Sequence, residues 1–337
     1  MTRVLTAWRD GFRRVLHVPA VVIGVLLATM ATAAPFAMAM RDLLQGAFGR
    51  SLAAESMAES FSVDWWQEFA AQTGAFGATF SPNLIGFAVT LDNLGDFLDG
   101  TTPVAPIVAA IAVYLGTWIF LTGGILDRYA RQRPTRSFGF FSACGVFFFR
   151  FLRLAIVAGA AYWWLFTYVH ARLFGTWLGR LTDDLAVERT EFYWRVVMYG
   201  IFAALLALVN VWLDYAKVRA VVEDRHSMVG ALLASGGFIV RHPGRVVGLY
   251  LLNTLTFLAL IALWAAIAPG VGGLGASVWT AALVGQLYIV ARLVLKLQFL
   301  ASQTALFQAS LAHAAYTAAP VAEWPDSPAA ELIPSGS

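Results

Sequence analysis

The chain has 337 residues, of which 59% are hydrophobic and 13% charged, against about 45–50% and about 25% in soluble domains. That balance excludes a soluble globular protein, and 12 Trp, 10 Tyr and 25 Phe exclude a disordered one. The single Cys144 forms no intrachain disulfide, and a net charge of +3, spread rather than gathered, gives no nucleic-acid footprint.

Read in chain order, Arg3, Arg9, Arg13 and Arg14 precede the first apolar run, Val18 to Met40, which carries no charge over 23 residues. A cleavable signal peptide with a small-residue site at Ala31-Thr32-Ala33 is the competing reading. The run is longer than a signal h-region and suits a permanent span. Pro35 is tolerated near its outer end, where the last turn needs no further hydrogen bonds.

Residues 41–103 form the longest polar stretch, about half a usual domain and too short for a separate catalytic unit. Trp65 and Trp66 beside Asp64 read as an interfacial anchor. The less polar 69–89, broken by Gly74, Gly77 and Pro82, reads as a surface or re-entrant hairpin. Asp92, Asp96 and Asp99 line one face of an amphipathic helix, which is read as a solvated face in preference to a divalent-cation site.

Further apolar runs cover about 104–126, 154–170, 196–213, 246–268 and 278–297, giving six spans in all, the third short and the sixth imperfect. The charges orient them. With the N-terminus inside, 17 of the 23 basic residues fall on the cytoplasmic side, while 12 of the 20 acids fall outside. Both termini are then cytoplasmic, in a bacterial inner membrane. Beyond Leu297 the chain alternates polar and apolar positions to Tyr316, as an amphipathic cytoplasmic helix would. Residues 317–337, rich in proline, read as a flexible tail after a single transmembrane domain over 1–316.

The chain repeats itself. Ala143-Cys144-Gly145-Val146-Phe147-Phe148-Phe149-Arg150 returns as Ala234-Ser235-Gly236-Gly237-Phe238-Ile239-Val240-Arg241, and Pro19 with Val22, Ile23 and Gly24 matches Pro243 with Val246, Val247 and Gly248. Asp127-Arg128-Tyr129-Ala130-Arg131 resembles Asp214-Tyr215-Ala216-Lys217. Three units follow, each a short elbow helix (3–16, 137–150, 227–241) lying in the cytoplasmic interface, then a hairpin of two spans. The fold class is all-α and polytopic, with six transmembrane helices as three hairpins. Arg150, Arg153, Arg241 and Arg245 are candidate contacts from the elbows to anionic lipid headgroups.

The stretch Val222 to Ser235, running into Arg241 and an apolar span, resembles the elbow of a bacterial six-helix membrane domain. That domain is attached to some glycerophosphodiester phosphodiesterases and also occurs alone in uncharacterised proteins. The resemblance implies a fold and not an activity, because no phosphodiesterase domain accompanies it. The five histidines have no clustered acids beside them, so no metal site and no catalytic residue is expected.

Polar residues inside spans are the remaining candidates for chemistry. Asn210, Asn253, with Thr254 and Thr256, and Gln286 could line a polar cavity or bond between helices. Arg292 and Lys296 lie one turn apart on an otherwise apolar helix. They either snorkel to the cytoplasmic edge or meet Asp214 or Asp127 within the bundle. Gly270-Val271-Gly272-Gly273-Leu274-Gly275 has the letters of a dinucleotide fingerprint without its strand and helix, so no cofactor is expected. The expected function is a non-enzymatic accessory or scaffold role, organising membrane lipids, a membrane-protein partner or further copies of the chain. A transporter or lipid-handling protein with a polar cavity is the alternative, and a lipid-modifying enzyme relying on Asp127, Asp214 and His170 comes third.

Overall fold

The computed structural model describes residues 2–49, 62–78, 105–132, 136–183, 188–273 and 278–313. Asp92, Asp96 and Asp99, most of the 69–89 stretch, Leu274 and Gly275, and the chain after His313 lie outside the described residues. Every regular element within them is helical. In order these are α1 (Thr2–Leu16), α2 (Pro19–Phe48), α3 (Val63–Ala78), α4 (Ala105–Arg131), α5 (Ser137–Trp164), a π-helix (Leu165–Trp177), α6 (Leu178–Thr182), α7 (Glu188–Val222), α8 (Met228–Arg241), α9 (Pro243–Gly273) and α10 (Val278–His313). Six stretches are long and apolar enough to cross a bilayer: Pro19–Phe48, Val108–Arg131, Ser137–Thr182, Arg189–Val222, Pro243–Ile267 and Ala282–Leu311.

Proline decides where a short helix separates from the span that follows it. Val18 leaves the helical region at φ −129° before Pro19, which opens α2. His242 does the same at φ −132° before Pro243. A residue before proline is driven out of the α region, and proline fits the first helical turn. No proline follows Arg150, and there the helix runs from Ser137 to Thr182 without a break. The expected elbow over 137–150 is therefore not a separate helix. Ser227 caps α8, its hydroxyl accepting from the Gly230 amide at 3.2 Å.

The third span is also longer than its sequence suggests, because the helix loosens into i→i+5 bonding at Leu165 and continues to Trp177. Phe166 and Phe174 in this stretch meet Phe202 and Tyr199 of α7, while Tyr162 meets Asn210. Partners descend along α7 as numbers rise, so the two helices run antiparallel. The same holds for α9 and α10, joined by the Trp264–Tyr288 stack at 4.4 Å and by Asn253 with Ser302. Helices α4 and α5 approach closely at Gly124, where a Cβ would sit 2.5 Å from Cys144 Sγ and 2.9 Å from the Phe140 carbonyl.

The centre of the molecule is α10, which contacts α1, α2, α4, α7 and α9. Its stretch from Leu297 to Phe307 is almost continuously buried. The helix continues past Leu297 as expected and packs on α1 and α8, but it is buried there on nearly every side rather than amphipathic. Large apolar side chains on the perimeter, such as Leu27, Ile156, Leu208, Leu255 and Leu283, face outward, as a hydrocarbon environment allows. Helix α2 runs through Pro35 to Phe48. At its end Phe48 stacks on Trp65 of α3 at 4.2 Å.

Candidate functional site

Polar residues of α10 reach four of its neighbouring helices. The Gln298 amide donates to the Trp8 carbonyl of α1 at 2.8 Å. Ser302 accepts from Asn253 of α9 at 2.9 Å, and Gln303 donates to Asp214 of α7 at 3.2 Å. Gln308 donates to the Ala130 carbonyl of α4 at 2.8 Å and accepts from Arg14 of α1 at 2.8 Å. Gly11 allows the α1 contact, because a Cβ there would stand 2.8 Å from both Gln298 Oε1 and Ser302 Cβ. In a low-dielectric interior such bonds hold helices in register, and each unmade one is costly.

Lys296 completes the set toward α4. Its ammonium donates to the Tyr114 hydroxyl at 2.7 Å and lies 3.3 Å from the centre of the Trp118 ring. Arg292 stands over Tyr288 at 5.5 Å. At about 1.5 Å per residue these cations lie about 21 and 27 Å along α10 from Val278. The structure gives Lys296 aromatic partners and places the two acids elsewhere. Asp127 pairs with Arg131 at 2.7 Å, and Asp214 with Lys217 at 2.6 Å. A ring face attracts a desolvated cation without introducing a buried anion.

The predicted residues do not surround one space. Asn253 is 1% exposed and sealed against α10, whereas Asn210, which accepts from Tyr162 at 2.6 Å, and Gln286 are exposed. Arg150 turns inward at 11% side-chain exposure, paired with Asp224 at 2.7 Å and lying over the Phe147 ring at 5.0 Å. Arg153 and Arg241 are exposed, and Arg245 is half-buried. Arg14 and Arg219 escaped the sequence reading. Arg14 reaches Asp10, the Tyr129 carbonyl and Gln308. Arg219 pairs with Glu223 at 2.8 Å and donates to the Ala234 carbonyl. The repeated arginines at helix ends were a usable signal for both.

Among the described residues no three His, Cys, Asp or Glu side chains come together as a metal site would require. Among the described residues the chain is all-helical, and its six helices long and apolar enough to cross a bilayer are those of a multi-pass membrane protein. No protein-family model matches it, and neither a curated protein nor a solved structure is similar to it.

Proposed function

We propose that this is a non-enzymatic accessory or scaffold protein of the bacterial inner membrane, both termini cytoplasmic, which organises anionic lipid or a membrane-protein partner. In this reading the helices form three hairpins, on the plan of the six-helix domain that the Val222 to Ser235 stretch resembles, with α1, the start of α5 and α8 lying in the cytoplasmic interface. The charge distribution along the chain supports the orientation. The observation that carries the functional reading is the separate engagement of the polar span residues: Asn253, Gln298, Gln303 and Gln308 each hold a different helix to α10. Polar groups spent on helix contacts fit a rigid body whose work is done at its surface.

Purification of the full chain from its own membrane, followed by native mass spectrometry, tests this. A stoichiometric protein partner or a retained set of anionic lipids is the expected result. A retained polar solute would overturn it in favour of a transporter. One observation favours that second reading: the side-chain oxygens Asn253 Oδ1, Gln298 Oε1 and Gln303 Oε1 are buried without a hydrogen-bond donor among the described residues. They would line a hydrated path if water reached α10. Labelling of Ser302→Cys by a small water-soluble thiol reagent would reveal such a path.

A further inference from the structure

Where α1 and α4 end side by side, Asp10, Arg13, Arg14, His17, Arg128 and Gln132 border a half-open cavity of about 460 Å³, within the roughly 300–1,000 Å³ of small-molecule sites. Arg14 is its fixed floor. Its side chain is 10% exposed and paired with Asp10 at 2.8 Å. It also donates to the Tyr129 carbonyl at 2.9 Å and to Gln308 at 2.8 Å. With the Gln132 amide oxygen turned to accept, Arg14 Nη2 meets it at 2.9 Å. Gln132 itself holds a positive φ of 53°, a conformation unusual outside glycine and kept where surroundings impose it.

The one carboxylate of the cavity is thus already engaged, and its other charge-bearing side chains are basic. Arg13 and His17, one turn apart on the same face of α1, are exposed and make no side-chain hydrogen bond or ion pair among the described residues. Arg128 closes the border from α4. Guanidinium groups converging from two helices match the oxygens of a phosphate group. The cavity also adjoins Val18, the residue before the first span, which puts it at headgroup depth.

We propose that this cavity binds a phosphate group, held by Arg13, Arg128 and His17, as the phosphodiester of an anionic glycerophospholipid or as free phosphate. The site is distinct from Arg150, Arg153, Arg241 and Arg245, and it rests on the lipid-organising reading above.

The full chain in detergent is titrated with phosphatidylglycerol and, separately, phosphatidylcholine, and bound lipid is counted by native mass spectrometry. Phosphatidylglycerol should be retained over phosphatidylcholine, with Arg13→Gln/Arg128→Gln weakening retention about tenfold. Arg13→Glu, a change at an exposed position that leaves the fold intact, should do the same. Arg180→Gln and Arg195→Gln, on exposed arginines outside both the cavity and the elbows, should leave retention unchanged. Equal losses in all variants, or none in the cavity variants, would overturn the site while leaving lipid organisation standing. Failure of the unaltered chain to retain either phosphatidylglycerol or inorganic phosphate would overturn the site together with the lipid-organising reading, leaving only a protein partner. Displacement of phosphatidylglycerol by inorganic phosphate supports free phosphate as the source, and resistance to it supports the lipid.

Discussion

Arg150 Nη1 donates to Asp224 Oδ1 at 2.7 Å and to the Arg225 carbonyl at 3.3 Å, locking the start of α5 to the turn that follows α7. With the Gln132 amide oxygen turned to accept, Arg14 of α1 makes the equivalent tie to Gln132, in the turn that follows α4. Gln132 and Asp224 are the described non-glycine residues with positive φ. In each case an arginine from the helix that opens a repeat unit clamps the strained turn that closes it. The sequence repeat is thus matched by a repeated mechanical joint.

The joint makes an asymmetric prediction. Asp224 is 66% exposed, so the ion pair itself contributes about 0–1 kcal/mol after solvent screening. Arg150 also holds a carbonyl and the Phe147 ring, and Arg150→Ala should cost about 1–3 kcal/mol. Asp224→Gly should keep the melting temperature, because glycine adopts φ 46° freely, whereas Asp224→Val should lower it. Thermal unfolding in detergent reads all three. Equal losses for Arg150→Ala and Asp224→Gly would mean that the charge pair alone mattered.

Gly124 limits how closely α4 and α5 can pack. Gly124→Ala should destabilise by about 1–3 kcal/mol, since the new methyl meets Cys144 Sγ at 2.5 Å and a backbone oxygen at 2.9 Å. Adding Cys144→Ala removes the sulfur and leaves the carbonyl, so rescue should be partial. Gly116→Ala is the internal control, having nothing within 4 Å of its Cβ, and should be neutral or mildly stabilising. A cost at Gly116 equal to that at Gly124 would show that close packing is not the cause.

Lys296 and Arg292 give a prediction about depth. Lys296 is exposed, with its ammonium on Trp118 and Tyr114; where those rings hold it against hydrocarbon, single cysteines at 292 and 296 should resist a membrane-impermeant maleimide. Labelling at both positions would place them at the membrane edge. Lys296→Met should cost about 0.5–2 kcal/mol in unfolding, with Trp118→Leu cancelling most of that difference in a double-mutant cycle.

The existence of the spans was legible in the sequence because about 20 uncharged residues have few other uses. The separation of α1 from α2 and of α8 from α9 was legible through Pro19 and Pro243. The missing break after Arg150 was legible by the same rule, since no proline follows it, but the matching letters around 143–150 and 234–241 suggested a separate elbow instead. The buried half of α10 was the larger miss. Hydropathy treats Gln298, Gln303 and Gln308 as residues seeking water, while their partners are Trp8, Asp214 and Ala130. Those partners are distant in sequence, so no local pattern reports them. Lys296 was rightly an anomaly, but a reading that weighed snorkelling against Asp214 or Asp127 had no means of finding Tyr114 and Trp118, which are distant in sequence.

Asn253 provides the most direct test of whether polar span residues serve assembly. Its side chain is 1% exposed and donates to Ser302 at 2.9 Å, while its oxygen finds no donor among the described residues. Asn253→Leu therefore removes one bond worth about 0.6–1.7 kcal/mol between membrane helices, but it also removes an unsatisfied acceptor whose burial costs about 1–3 kcal/mol. Ser302→Ala removes the acceptor of the same bond and leaves the asparagine unpaired. The order of stability should be the unaltered chain and Asn253→Leu close together, then Ser302→Ala below both, with Asn253→Leu/Ser302→Ala recovering toward Asn253→Leu. Chemical unfolding in mixed micelles measures this order. A large loss in Asn253→Leu with no further effect of Ser302→Ala would mean that the asparagine oxygen is hydrated in the membrane, the circumstance in which α10 would border a water path.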